Sequence, residues 1–328
     1  MDKARKSRRF RGFASPGMVL CAMAIVLPGC DPHPASRSAR NLNIIPREAA
    51  VSAKRQASPS VGVSTGLETC EAGLAGAAQQ NRESLHLSTF ATFGRSEVGW
   101  EFYEPLIAVE IGTRCRAATP AFASNLAAWQ SARGLGHAGL MDEATFSAMM
   151  AAWQKRRPFV AANMHGCPSP PPEASLAVVP VDESYGGKTL LLRPAALAAY
   201  GRMLAAARAE EPGLASDRQL MTLFSAYRSV GSDAARCASD DNCQGVVRTT
   251  CSAHLTGLAI DLYLGAAPGY RPDSSDDANR LYISRGEAYR WMVVNARRFG
   301  FVPYAFEPWH WEWTGELIES ADVRHVPT

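Results

Sequence analysis

The chain has 328 residues, 47% hydrophobic and 20% charged, with a formal charge of +3. This is ordinary globular composition, with room for two modest domains and a tail. Six basic side chains against one acid lie in the first 29 residues, which leaves about −2 for the remainder and excludes a basic field suited to nucleic acid.

The basic start, Lys3 to Arg11, leads into an apolar run from Met18 to Gly29 that is too short to span a bilayer, so residues 1–29 read as an export signal. The run ends in Leu27-Pro28-Gly29-Cys30, which resembles a bacterial lipobox. That resemblance implies cleavage before Cys30, a lipid on its thiol, and attachment to a membrane surface in a periplasm-facing envelope location. Asp31 resembles the inner-membrane retention signal of some Gram-negative lipoproteins. Residues 30–66, rich in Ser, Ala, Pro and Arg without an apolar period, predict a flexible tether.

Beyond Cys21 and Cys30 six cysteines remain: Cys70, Cys115, Cys167, Cys237, Cys243 and Cys251. An even number in an exported chain predicts disulfides, with fifteen connectivities open, and the polar turn between Cys237 and Cys243 makes those two the first candidate pair. No C-x-x-C supports a cysteine zinc site.

Residues 67–165 read as helical, with "FASNLAAWQSARGL" and "DEATFSAMMAAWQ" placing apolar residues three and four apart and Asp142 as the N-cap of the second helix. The pattern from Phe122 to Trp153 resembles the small helical peptidoglycan-binding domain found beside many wall hydrolases; a helical hairpin with no ligand of its own is the alternative. The Pro-rich residues 166–175 predict a linker, and residues 176–328 a second domain. There "RPAALAAYGRMLAAARAE" predicts a helix, "QLMTLFSAYRS" a strand entering a loop, and "AIDLYL" a strand. "RGEAYRWMVVNARRFGF" predicts a helix closing at Gly300, and "EPWHWEW" a third strand. Helices and strands do not alternate regularly, so the expected class is α+β.

Asp261 lies inside the apolar run Leu258 to Leu264, seven positions after His254. A buried carboxylate costs several kcal/mol unless it is paired or bound to a metal. With His310 the set becomes two imidazoles and one carboxylate, the ligand set of a catalytic zinc, and Glu307 three residues earlier is placed to act as general base. A metal-free core with Asp261 paired to Arg228 is the plainer alternative, but it leaves His254, His310 and Glu307 unexplained.

The surrounding words "SAYRS", "SAHLTGLAIDL", "WMVVNARRFGF" and "EPWHWEW", in that order, resemble the zinc D-alanyl-D-alanine carboxypeptidases of the VanY type, whose fold is shared with Hedgehog signalling domains. The match spans roughly Leu190 to Thr314. It implies Zn2+ held by His254, Asp261 and His310, Glu307 as catalytic base, and Arg228 and Ser252 holding the terminal carboxylate of a peptidoglycan stem peptide. L,D-carboxypeptidases and L-alanyl-D-glutamate endopeptidases share the zinc set, and a non-catalytic, zinc-stabilised wall-binding protein could keep the ligands. Glu307 counts against the last, because an inactive descendant is free to lose its base. The chain departs from the family after His310, where Trp311-Glu312-Trp313 replaces an aromatic, an arginine and a tyrosine. Strand alternation puts Glu312 on the face of His310, towards the cleft. Trp291, Phe299 and Phe301 are expected in the core, Trp309 in core or cleft, and Cys251 in a disulfide. His33, His86, His137, His165 and His325 are expected to stand alone.

Overall fold

A computed structural model describes residues 69–92, 95–239 and 251–317, all within a compact unit spanning residues 64–328. The export signal, the tether, Cys30 and Cys243 lie outside the described residues. No helix among the described residues is long and apolar enough to cross a membrane.

In chain order, α1 (Ala75–Leu87) precedes a hairpin of β1 (Thr89–Thr92) and β2 (Arg95–Val98), followed by α2 (Glu104–Glu110), α3 (Pro120–Ser131), α4 (Glu143–Lys155) and α5 (Pro158–Ala162). A small pair, β3 (Ala177–Val178) and β4 (Leu191–Leu192), leads to α6 (Pro194–Glu210), α7 (Pro212–Ser216), β5 (Leu223–Ser225) and α8 (Val230–Ser239). The last part holds β6 (Ala259–Leu262), α9 (Asp277–Arg285), α10 (Glu287–Asn295), β7 (Phe301–Tyr304) and β8 (Glu307–Trp313). This mixture of helix and sheet is compatible with the α+β class.

Local chemistry sets many of the boundaries. Asp142 caps α4 by accepting the Thr145 amide at 2.8 Å, and Thr119 caps α3 ahead of Pro120. Pro194 opens α6, which buries Ala196, Tyr200, Met203 and Ala207 along one face. The helix expected from Arg285 to Gly300 divides into α10 and a 3-10 turn, Ala296–Phe299. Gly300 ends that turn at φ 85°, and a Cβ there would meet Trp313 Nε1 at 2.9 Å, so both backbone and packing require glycine.

Four strands form an antiparallel sheet in the order β5-β6-β8-β7. Its register sets Asp261 opposite His310, and Ala259 opposite Glu312. Ile260 and Trp311, also paired, point into the core on the other face. One hydrophobic core runs from Leu85 to Trp311, shared by the helical segment and the sheet. Trp291 and Phe301 are buried in it, as expected, and Phe299 packs against it.

A polar cluster also crosses between these parts. Arg280 on α9, 2% exposed, donates to Glu97 on β2 at 2.5 Å, to the Tyr103 hydroxyl at 2.9 Å and to the Phe306 carbonyl at 2.9 Å. Its guanidinium lies between the rings of Phe102 and Phe306, 4.1 and 4.2 Å from their centroids. Disulfides join Cys70 to Cys115 and Cys167 to Cys251, and Cys237 is also disulfide-bonded. Such cross-links point to an oxidising compartment outside the cytosol.

Candidate metal centre

His254 sits on a 3-10 turn, Ala253–Thr256, that must bend sharply into β6. Gly257 makes the bend at φ 69°, a conformation that costs glycine little. Asp261 follows in β6 and His310 faces it from β8, so one tight turn and one strand pair bring three distant residues together. One ligand atom from each lies within 4.8 Å of the others, and all three residues are buried.

The ring nitrogens divide their tasks. His254 Nδ1 is 2.6 Å from the Ala226 carbonyl, which turns Nε2 towards Asp261 Oδ2 at 3.1 Å. His310 Nδ1 lies 2.9 Å from Asp261 Oδ1, and the two imidazoles are edge to face with centroids 4.9 Å apart. Two imidazole nitrogens and a carboxylate oxygen could hold a metal ion, and the carbonyl behind His254 is an outer acceptor that fixes the orientation of its ring. The residues fit a metal ion.

Asp261 has other partners as well. Arg228 Nη2 donates to its Oδ2 at 2.8 Å, so the ion pair of the plainer alternative is present alongside the three-ligand cluster. Burial opposes ionisation of Asp261, but both imidazoles and Arg228 outweigh it and hold the carboxyl well below its ordinary range. Burial and the Arg228 charge push His254 down to about 4. Burial also acts against charge on His310, yet its bond with Asp261 and the nearby Glu312 carboxylate prevail and raise it to about 9.

The cluster opens on a cavity of about 710 Å³, whose walls include Arg228, Ser252, Glu307 and Trp309. The structure therefore brings His254, Asp261, His310, Glu307, Arg228 and Ser252, the site residues expected from residues 176–328, onto one surface. Glu307, at the start of β8, is half-buried, and its loss of water raises its pKa. The Arg228 fork is engaged: besides Asp261 it reaches Ser225 Oγ from Nε at 3.0 Å and faces Asp233 Oδ1 from Nη1 at 3.5 Å. Ser252 donates from its hydroxyl to Asp233 Oδ2 at 2.6 Å. Asp233, buried on α8, thus links the two expected substrate-holding residues. Sequence reasoning missed it, because a lone acid among small residues carries no signal.

Glu312 shares the face of His310, as alternation requires, but it is covered and does not line the cavity. Arg157, just before α5, lies over it: Nε donates to Oε1 at 2.6 Å, and the Phe159 amide donates to Oε2 at 3.0 Å. The Arg157 guanidinium also stacks 3.9 Å above the Tyr304 ring. Arg157, Phe159, Asn163 and Cys167 line the cavity, so residues before and within the expected linker form one wall of the site. Their contribution was not legible in sequence. Elsewhere, His86 faces Glu101 at 3.2 Å and His137 is exposed, away from the cluster. His33 and His325 lie outside the described residues.

No family model matches the chain, and no curated protein matches it.

Proposed function

We propose that the protein is a zinc-dependent D-alanyl-D-alanine carboxypeptidase of the VanY type, with the Hedgehog-like fold of that family, acting on peptidoglycan stem peptides at the cell envelope. The observation that carries this reading is the convergence of His254, Asp261 and His310 on one cavity wall beside Glu307 and Arg228. A lipid at Cys30 would hold the enzyme to a membrane, with residues 30–66 as tether and the segment from Phe122 to Trp153 near the glycan.

His254, Asp261 and His310 would hold the zinc, which when bound polarises a scissile carbonyl and lowers the pKa of water. Glu307 accepts a proton from the attacking water and returns it to the amine nitrogen of the departing D-alanine. Arg228 matches the free carboxylate of that residue, since a guanidinium offers two parallel charge-assisted hydrogen bonds. Asp261 lies between Arg228 and the imidazoles, so its carboxylate is drawn either to the guanidinium or to a cation among the rings. In the second case Nη2 is free for substrate. Asp233 orients the Ser252 hydroxyl on the same wall.

The Arg228–Asp261 bond also favours a second reading, in which the cluster is a structural ion network without metal. Both are tested by measuring D-alanine release from synthetic stem pentapeptide and tetrapeptide, with the protein zinc-loaded and chelator-stripped. Zinc-dependent release from pentapeptide is expected. Release from tetrapeptide alone would make the enzyme an L,D-carboxypeptidase. Zinc binding without release would favour an endopeptidase or a wall-binding scaffold, and failure to bind zinc would leave the ion network.

A further inference from the structure

His310 has one ring nitrogen directed at Asp261 and a second, Nε2, that is buried without a hydrogen bond. The acceptor facing it is Glu312 Oε1, 3.5 Å away and two residues along the same strand. That is longer than a good hydrogen bond, but such contacts around catalytic groups often tighten only when the site is loaded. Glu312 cannot drift: Arg157 and the Phe159 amide each hold one of its oxygens, and the aromatic face of Tyr304 backs the guanidinium. Both partners are buried, Arg157 at 8% and Glu312 at 2% exposed. A buried ion pair is a poor device for stability alone, since well-packed apolar residues of similar size do as well or better. Its position behind a candidate ligand supplies a different reason for it.

We propose that Glu312, clamped by Arg157, is a positioning residue for His310: it takes the Nε2 hydrogen bond and so aims Nδ1 at the metal. The segment before residue 166 is then a working part of the metal centre, because it supplies Arg157 and the Phe159 amide. This inference rests on the metal reading of the cluster. It also gives a role to the family departure at position 312, where a carboxylate with an arginine brought from 155 residues away stands in place of the family's arginine.

The test uses the full chain as wild type, as the double variant Arg157→Met/Glu312→Leu, and as Glu312→Gln. Zinc affinity is read by chelator competition, the ligand field by the visible spectrum of the cobalt(II) form, and folding by Tm without metal. The double variant replaces the pair by apolar groups, so its Tm should hold or rise while zinc binds about 10–100-fold more weakly and the cobalt spectrum shifts. Glu312→Gln keeps size and should weaken zinc about tenfold, which covers the case in which the double variant does not fold. Wild-type affinity and spectrum in a folded variant would overturn the positioning role and leave the metal site standing. If the wild type itself binds neither zinc nor cobalt, the metal reading and this inference fall together.

Discussion

The protein buries two polar clusters of similar composition and opposite character. Around Arg280 each donor is matched: the guanidinium meets two carboxylates, Glu97 and Asp277, one hydroxyl and one carbonyl, and two rings flank it. Around Asp261 two imidazoles and Arg228 crowd the two oxygens of one carboxylate, and His310 Nε2 has no hydrogen bond. A matched cluster fixes a packing arrangement. One with an unmatched buried nitrogen, facing a cavity, is a place where something else can be held.

Substitutions can break that contrast. The largest effect is expected for Glu307→Gln beside the unmatched cluster: D-alanine release should fall about 10²–10⁴-fold while bound zinc, measured by metal analysis, is unchanged. Arg280→Met should remove about 3–5 kcal/mol of stability by stranding Glu97, visible as a lower Tm and denaturant midpoint, with zinc affinity unaltered. Asp261→Asn should do the reverse, raising the zinc Kd by about 100-fold or more, beyond the loss of an outer hydrogen bond. If Arg280→Met weakened zinc as much as Asp261→Asn, the distinction between the clusters would fail.

A smaller, matched cluster sharpens the comparison. Glu110 accepts both Trp129 and Trp153 ring N–H groups, at 3.2 and 3.1 Å, and a fork from Arg156. Burial opposes its charge, but these bonds hold its pKa below the ordinary value. A carboxyl lowered in the folded state adds stability above its unfolded pKa, about 4.3, and loses it as pH falls through the folded value. Between pH 7 and 3 the wild type should therefore lose more stability than Glu110→Gln, by about 1 kcal/mol or less, measured as the difference in Tm change.

What could be read from sequence followed the range of the interaction. Asp142 and Pro194 mark their helices because caps act within three or four residues, and "AIDL" and "EPWHWEW" give strands because alternation and aromatic content are local. Burial logic singled out Asp261, the resemblance of the surrounding words set His254 and His310 beside it, and alternation reached the face of Glu312. Arg157 could not be found this way, since nothing near position 157 records a carboxylate 155 residues later. The same holds for Asp233, and for the Cys167–Cys251 pair among fifteen connectivities. Cys237 is disulfide-bonded, while its expected partner Cys243 lies outside the described residues. The polar helix α9 also escaped notice, because its mean hydropathy is low.

The reach between Arg157 and Glu312 also has a consequence in time. Chain growth at roughly 5–20 residues per second makes the arginine about 10–30 s before the carboxylate it covers. Contacts so remote in sequence also form late in folding, after much loop entropy has been lost. For that interval the helices' share of the common core, and the wall they lend to the cavity, face a sheet whose last strand does not yet exist. A chain that stalls or is cut before Glu307 keeps Arg157 and loses Glu307, His310 and Glu312 at one stroke, so a truncated product would lack one of the three members of the cluster and the carboxylate that Arg157 covers.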